Sequence, residues 1–199
     1  MIPVFDIGGV LIRWDPRPLF REWISDPADL ERFIDTVCPG DWDLEQEGLR
    51  PFSQGLAARM ARFPEHADLL RAFDDRWIET VPGPIEGTAA LLDELRTAGV
   101  PTYAITNFSR EKFAVLLEHV PFLSGFDGII VSAHEHLLKP DPRIYALLCE
   151  RYDLNPADCF FIDDTRANVE AAQAFGMQGH HFTDPCALRL EMRAYGLPV

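Results

Sequence analysis

Residues 2–11 read IPVFDIGGVL, and this stretch decides the class of fold. The apolar run Ile2–Phe5 has the length and composition of a buried β-strand, and it stops at the carboxylate of Asp6. Two glycines, Gly8 and Gly9, follow closely and favour a turn. Since ligands of open α/β sheets bind beyond the carboxyl ends of the strands, Asp6 marks one end of a candidate site.

Four further runs of strand length follow, and a helix-like segment precedes each of them. Strands that alternate with helices of this length predict βαβ units and a parallel sheet covered on both faces. The sequence therefore indicates an α/β fold, a doubly wound parallel sheet of the Rossmann-like type. The predicted strands are 102–106, 128–131, 159–162 and 179–182, and the predicted helices are 86–98, 111–119, 142–152 and 167–175.

The alternation is interrupted once, between the first strand and the sequence Pro82-Gly83-Pro84. This segment contains no run with the character of a strand, and its apolar residues recur at helical spacing between Pro, Gly and Asp breakers. We expect a small all-helical insert at 15–81 and an α/β core formed by 1–14 and 82–199. The predicted helices of the insert are 19–24, 30–37, 52–63 and 67–78.

Composition and charge argue against a nucleic-acid or membrane partner. The 199 residues include 18 basic and 32 acidic side chains, which gives a net charge of −14 and a pI of about 4.7. Such a surface repels nucleic-acid backbones and anionic membranes. No run approaches the roughly 18 apolar residues of a membrane span, and the first residues lack the pattern of a signal peptide. We therefore expect a cytoplasmic protein.

Polar residues follow four of the predicted strands, at the point where each strand ends. Because the carboxyl ends of parallel strands meet at one edge of the sheet, we expect these side chains to lie together. Each residue alone has a simpler explanation as a helix cap or a solvated side chain, but their ordered occurrence favours a common site. The set comprises Asp6, Thr106, Asn107, Lys139, Asp163, Asp164 and Asn168.

These residue types suit the transfer of a phosphoryl group from a small-molecule phosphate ester. The transferred group carries charge on three oxygens, so catalysis consists mostly of positioning and charge neutralisation. Lys139 and a divalent cation supply positive charge, and the Thr106 hydroxyl supplies a donor. Asp6 and Asp164 are oxygen ligands that suit Mg²⁺, and a carboxylate is also a competent nucleophile toward phosphorus.

Four motifs together resemble the haloacid dehalogenase (HAD) superfamily of hydrolases: FDIGGVL at 5–11, ITN at 105–107, KPDPRIY at 139–145 and FIDDTRAN at 161–168. They occur in the order of that superfamily and span nearly the whole chain. The resemblance implies a Mg²⁺-dependent phosphatase in which an insert after the first strand is a helical cap that selects the substrate.

The resemblance also implies a role for each motif residue. Asp6 is the nucleophile and a metal ligand, and the metal is also held by the backbone carbonyl of Gly8 and by Asp164, with Asp163 near it. Asn168 supports this site. Lys139 is catalytic, and it binds the phosphate together with Thr106 and Asn107.

The chain departs from the superfamily pattern at Gly8. Most phosphatases of this superfamily carry a second aspartate at this position as a general acid and base, and such help is typically worth about 10²–10⁴ in rate. Water or a cap carboxylate, either Asp15, Asp43 or Glu47, is a substitute source of the proton. A subgroup that resembles bacterial glucose-1-phosphate phosphatases has a similar D-x-G opening, which favours an active enzyme.

Two alternatives remain open. The chain is alternatively a catalytically weak or inactive protein that binds phosphate or metal, or a 2-haloacid dehalogenase. The dehalogenases place Tyr at the position of Gly8 and lack the acidic pair Asp163-Asp164, so both features favour the phosphatase. The candidate contacts of the cap with a substrate are Trp14, Trp42, Asp43 and Glu47.

Overall fold

A computed structural model describes residues 1–39 and 51–199. Its central feature is a five-stranded parallel sheet in which the strand that begins the chain lies in the middle. The strands are β1 (Ile2–Phe5), β4 (Tyr103–Thr106), β5 (Gly128–Val131), β6 (Cys159–Asp163) and β7 (Gln178–His181), in the spatial order β5-β4-β1-β6-β7. The predicted doubly wound parallel sheet is confirmed.

Helices pack on both faces of the sheet, because successive strand residues point to opposite sides. The helices of the core are α5 (Glu86–Thr97), α6 (Arg110–His119), α8 (Pro142–Tyr152), α9 (Arg166–Phe175) and α10 (Pro185–Ala194), and a single helical turn, α7 (Ser132–Glu135), follows β5. Val4 and Phe161 lie on one face of the sheet, in a core shared with α8 and α9. Phe5 and Phe160 lie on the other face, in a larger core shared with α5, α6 and α10.

Residues 15–81, called the helical segment below, contain helices and 3-10 turns and no strand in their described ranges 15–39 and 51–81, as the sequence predicts. Apolar side chains of this segment join the larger core, and the Phe20 ring packs edge-on against Phe33 with a centroid separation of 4.7 Å. The helices are α1 (Arg17–Phe20), α2 (Pro27–Thr36), α3 (Phe52–Arg62) and α4 (Ala67–Asp75), and 3-10 turns lie at Pro64–His66, Trp77–Thr80, Pro121–Gly125 and Pro156–Asp158.

Two predicted helices are shorter in the structure than the sequence suggests. The prediction for 19–24 is wrong beyond Phe20, because the chain turns there to place Asp26 as the cap of the next helix, before Pro27. The prediction for 67–78 is wrong beyond Asp75, because Arg76 leaves the helical conformation and a separate 3-10 turn follows.

A short antiparallel pair closes the point where the helical segment leaves and rejoins the core. In this neck, β2 (Ile12–Arg13) pairs with β3 (Gly83–Pro84). Two backbone hydrogen bonds flank it, from Ile85 N to Leu11 O (2.8 Å) and from Asp15 N to Thr80 O (2.7 Å). This pair is not predictable from the sequence, since strands of two residues carry no periodicity.

Among the helices of the described ranges 1–39 and 51–199, each is too short or too polar to cross a lipid bilayer.

Candidate active site

Three carboxylates meet at the carboxyl edge of the sheet. β1 and β6 are adjacent, with Phe5 paired to Ile162, and Asp6 continues the pairing by donating its N–H to Ile162 O (2.8 Å). This register brings Asp6 beside Asp163, the last residue of β6, and beside Asp164. One oxygen from each of the three lies within 4.8 Å of the others. We call Asp6, Asp163 and Asp164 the acidic cluster.

Lys139 is the cation that this cluster contacts. Its Nζ lies 2.9 Å from Oδ1 of Asp6 and 2.6 Å from Oδ2 of Asp163. The side chains of Lys139 and Asp163 are 1% and 0% exposed, so this ion pair is shielded from solvent. Burial lowers the pKa of Lys139, but the two carboxylates more than offset this and the net shift is upward. Lys139 is therefore held as an ammonium ion.

Asp6 lies in an environment that disfavours its charge. Burial raises the pKa of Asp6 to about 7, while Lys139 opposes the shift and Asp163 adds to it. Its Oδ1 accepts hydrogen bonds from the N–H of Ile7 (2.7 Å) and from Lys139. In the described part of the chain no donor contacts Oδ2. One oxygen of Asp6 is thus oriented and the other is available to a metal or a substrate.

Asp163 is fully engaged by protein donors. Its Oδ1 accepts from Thr165 N (2.8 Å) and Asn168 Nδ2 (3.1 Å), and its Oδ2 accepts from Lys139 and again from Asn168 (3.1 Å). Asn168 is itself fixed at its carbonyl by the hydroxyl of Tyr145 (2.9 Å). Asp163 therefore orients Lys139, and Asp6 and Asp164 are the carboxylates with oxygens to offer a cation.

Asp164 lies against the backbone of Gly9. A Cβ atom on Gly9 would fall 2.7 Å from Cγ of Asp164, closer than side-chain carbons approach. The peptide of Asp164 is held from outside by His181, whose Nε2 donates to its carbonyl (3.0 Å). The Gly8-Gly9 pair in the sequence is the signal that points to this close approach.

The loops after β4 and β5 are joined by side-chain hydrogen bonds to backbone. Asn107 contacts Lys139 at both backbone groups: Oδ1 accepts from Lys139 N (2.9 Å) and Nδ2 donates to Lys139 O (3.0 Å). Ser132 Oγ accepts from Phe108 N (2.9 Å) and donates to Phe108 O (3.2 Å). Thr106 ends β4 in a buried position. The sequence places Ser132 directly after the strand at 128–131, but it does not predict the hydrogen bonds of Ser132 to Phe108.

The other residues predicted for the site are Gly8, Asp15 and the candidate substrate contacts of the cap. Gly8 lies in the turn after Asp6, and a Cβ atom built on it has no heavy-atom neighbour within 4 Å. Asp15 is in an ion pair with Arg17 (3.1 Å). Trp14 is half-buried and packs against the larger core. Trp42, Asp43 and Glu47 lie outside the described residues.

Two adjacent residues of α6 connect the core to the helical segment, and neither was predicted from the sequence. Glu111 accepts a hydrogen bond from the first N–H of α3, at Phe52 (3.1 Å). Lys112 donates to both the carbonyl (2.9 Å) and the carboxylate (2.5 Å) of Asp74, in α4. Its Nζ also lies 4.4 Å from the centre of the Phe52 ring. The helical segment is thus anchored directly beside the loop that carries Asn107.

The acidic cluster fits a hard divalent cation. Asp6 and Asp163 are buried and Asp164 is exposed, and among the described residues these three carboxylates face one ammonium ion. Because uncompensated buried charge is costly, a cation at the cluster would offset the excess of negative charge. Asp6 and Asp164 supply oxygen ligands of the kind that Mg²⁺ prefers. The same edge places a carboxylate, Asp6, beside an ammonium, which is the combination needed for attack on an anionic group.

Residues 4–176 match the family model for haloacid dehalogenase-like hydrolases, and this range includes every residue of the acidic cluster. The chain belongs to the haloacid dehalogenase-like hydrolase family.

Curated relatives of this haloacid dehalogenase-like hydrolase include enzymes with different reactions. It is 32% identical over 196 residues to the sesquiterpene phosphatase astK of Aspergillus oryzae, with 96% of this chain and 93% of the relative covered. It is 28% identical over 175 residues to (S)-2-haloacid dehalogenase 1 of a Pseudomonas species, with coverages of 86% and 71%. The likeness to the phosphatase is thus more complete.

Solved structures of the family share the fold. A HAD family enzyme of Bacteroides thetaiotaomicron, crystallised in complex with magnesium and inorganic phosphate, superimposes with a TM-score of 0.66 at 19% identity. The match covers 91% of this chain and 93% of that chain. At this identity the likeness concerns the fold of the haloacid dehalogenase-like hydrolase rather than its substrate.

Proposed function

We propose that the protein is a Mg²⁺-dependent phosphatase that hydrolyses small phosphomonoesters through an aspartyl-phosphate on Asp6. The observation that carries this proposal is the ion-pair array in which Lys139 contacts Asp6 and Asp163 at 2.9 and 2.6 Å, while one oxygen of Asp6 accepts no bond from the described residues. A buried carboxylate that is oriented at one oxygen and open at the other is suited to nucleophilic attack.

In the proposed reaction, the free oxygen of Asp6 attacks phosphorus and the bond from phosphorus to the ester oxygen breaks. The leaving alkoxide takes a proton from water, and a second water then hydrolyses the aspartyl-phosphate to release phosphate and restore Asp6. Lys139 uses two of its three donors on carboxylates, so one remains for a phosphate oxygen. Thr106, at the end of the neighbouring strand β4, supplies a hydroxyl to the same group.

The residues that would hold Mg²⁺ are Asp6 and Asp164, with the carbonyl of Gly8. When bound, the ion neutralises phosphate charge and favours the ionised form of Asp6, against the burial that raises its pKa. Asp163 contributes by fixing Lys139, since its own oxygens already accept four hydrogen bonds.

The residue at position 8 sets the chemistry of the leaving group. Glycine provides no proton there, so the enzyme favours esters whose alcohol leaves with little protonation. The full-length likeness to a sesquiterpene phosphatase supports the inclusion of apolar phosphate esters among the candidate substrates, beside sugar phosphates. Residues 15–81 act as the cap in this proposal. Its candidate contacts to substrate are Trp42, Asp43 and Glu47, together with Trp14 immediately before it.

The test is a panel of phosphomonoesters with and without Mg²⁺, containing sugar phosphates, nitrophenyl phosphate and the monophosphate of a sesquiterpene alcohol. Asp6→Asn is the matched variant, because it preserves shape and removes the nucleophile. We expect Mg²⁺-dependent turnover by the wild type and none by the variant. Turnover that persists in Asp6→Asn would exclude the covalent mechanism.

Two alternative functions have distinct outcomes in the same assay. A protein that binds Mg²⁺ and phosphate but turns over no ester is the catalytically inactive binding protein. The dehalogenase relative justifies a parallel assay with 2-haloacids. Chloride release without phosphate release would replace the phosphatase proposal with 2-haloacid dehalogenation.

A further inference from the structure

The position of Lys139 in the sheet raises a structural problem. Lys139 follows β5, an edge strand, yet its Nζ contacts Asp6 after β1 and Asp163 at the end of β6. Since neighbouring strands lie about 4.8 Å apart, β5 is about 10 Å from β1. The backbone that carries Lys139 must therefore cross the end of β4, the strand between them, to bring Nζ to the acidic cluster.

Asn107 lies where this crossing occurs. It is the first residue after β4, and its amide pairs with both backbone groups of Lys139, at 2.9 Å to N and 3.0 Å to O. A planar amide that contacts both polar groups of one residue fixes the position and the orientation of that peptide together. Lys139 is then held at its backbone by Asn107 and at Nζ by Asp163.

We propose that Asn107 is a positioning residue that acts through Lys139, by holding the loop after β5 across the end of β4. Its amide oxygen and one of its two amide hydrogens are occupied by the Lys139 backbone, so its principal contribution is to the location of the ammonium ion rather than to a direct contact with the substrate. The geometric part of this proposal stands without the proposed phosphatase activity, and its kinetic consequence rests on that activity.

Ser132 provides a matched comparison. It is buried, it joins the same two loops, and it also pairs with both backbone groups of one residue, Phe108. In the part of the chain that the structure describes, its hydroxyl makes no hydrogen bond to Lys139. Loss of the Ser132 hydroxyl therefore removes hydrogen bonds between the two loops but leaves the hydrogen bonds of Asn107 to Lys139 intact. Comparison of the two variants separates the positioning of Lys139 from a general stabilisation of the loops.

The composition of the chain makes the test direct, because Lys112 and Lys139 are its two lysines. In protein labelled with ¹⁵N-lysine, each ammonium group gives one NMR signal, and Lys139→Met assigns them. We expect Asn107→Ala to shift or broaden the Lys139 signal and to leave that of Lys112 in place, which also shows that the variant is folded. Ser132→Ala is expected to preserve both signals. An unchanged Lys139 signal in Asn107→Ala would overturn the proposal.

A second variant, Asn107→Ser, keeps the proposal testable when Asn107→Ala does not fold. Asn107→Ser retains a polar side chain but is too short to reach both backbone groups of Lys139. The same displacement of the Lys139 signal is expected, and its absence from a folded Asn107→Ser protein counts against positioning.

The kinetic arm is a double-mutant cycle on kcat/KM. We expect Asn107→Ala to lower kcat/KM by about 10- to 100-fold, since displacement of a catalytic group by about 1 Å has effects of this size. In the Lys139→Met background the further loss is expected to stay below about 2-fold, because residues that act as a unit are not additive. Fully multiplicative effects would mean that Asn107 acts on the substrate directly. If the wild type turns over no ester, the phosphatase proposal fails, and the NMR result alone decides the role of Asn107.

Discussion

The carboxylate of Asp164 occupies the space in which a side chain on Gly9 would begin, with Cγ of Asp164 2.7 Å from the position of a Cβ atom. Gly9 also has a φ of +72°, in the left-handed region that side chains other than glycine disfavour. Two independent constraints therefore coincide at this residue. One concerns the backbone, and the other concerns the carboxylate that we propose as a metal ligand.

The first prediction separates these two constraints. Gly9→Ala is expected to abolish Mg²⁺ binding in isothermal titration calorimetry, because the methyl group displaces the Asp164 carboxylate. Gly99→Ala is the control, since Gly99 has nearly the same φ, +73°, and no heavy atom within 4 Å of a built Cβ. Both variants carry the backbone strain of about 1–2 kcal/mol. Equal Mg²⁺ affinity in the two proteins would show that the close approach of Asp164 is irrelevant to the metal.

The second prediction concerns the missing acid at position 8. A Cβ atom on Gly8 has no neighbour within 4 Å, so the Cβ of Gly8→Asp is accommodated without displacement of protein atoms. We expect this variant to raise kcat for alkyl phosphates by at least about tenfold, less than the roughly 10²–10⁴ of an optimally placed general acid, and to change kcat for nitrophenyl phosphate far less. Gly8→Asn is the control of equal size. A similar gain in Gly8→Asn would assign the effect to shape rather than to proton transfer.

The third prediction concerns metal binding and stability. At a concentration of about 100 times Kd, Mg²⁺ stabilises a folded protein by about 2.7 kcal/mol, which corresponds to roughly 5–10 °C in Tm for a chain of this size. We expect Mg²⁺ to raise Tm in differential scanning calorimetry, and Asp164→Asn to remove the increase. Asp158→Asn is the control, because Asp158 is an exposed carboxylate that precedes β6, at the amino ends of the strands. This variant should retain the increase in Tm on addition of Mg²⁺. A full increase in Asp164→Asn would exclude Asp164 as a ligand.

The fourth prediction concerns the anchoring of the helical segment. Lys112 is 10% exposed and donates twice to Asp74, so Lys112→Met leaves partly buried acceptors without their donor. We expect the free energy of unfolding in urea to fall by about 1–3 kcal/mol. Arg71→Met, in the same helix α4, breaks an exposed ion pair with Asp68 and should cost less than about 0.5 kcal/mol. Equal decreases in the free energy of unfolding in the two variants would mean that the contact of Lys112 with Asp74 stabilises the protein no more than an exposed ion pair.

The sheet was predictable from the sequence because its strands are apolar runs that end at polar residues. Ile2–Phe5 and Gly128–Val131 have the same bounds in the prediction and in the structure. The last strand carries His180 and His181 rather than apolar residues, and its predicted position is one residue late. Helix α10 was missed although Asp184 precedes Pro185, a recognisable start signal, and Asp184 does cap the helix.

The candidate site was predictable only in its residue types and their order along the chain. The strand-end rule brings Asp6, Asp163 and Asp164 together, and the structure places them within one cluster. The sequence cannot show that Asn107 contacts the backbone of Lys139. That contact joins two loops, and their separation depends on how the loop after β5 passes over the end of β4. The links from Glu111 and Lys112 to the helical segment depend likewise on packing between distant parts of the chain.

The neck formed by β2 and β3 affects which parts of the chain can be replaced during evolution. Because Ile12–Arg13 and Gly83–Pro84 are paired, the chain leaves the core and returns to it at neighbouring points, whatever residues 14–82 form in between. A longer segment between fixed ends costs only about 0.6 kcal/mol of closure entropy per doubling of its length. Under the proposed function, replacement of the helical segment is therefore expected to change the substrate preference, with the strands that hold Asp6 and Asp163 left as they are.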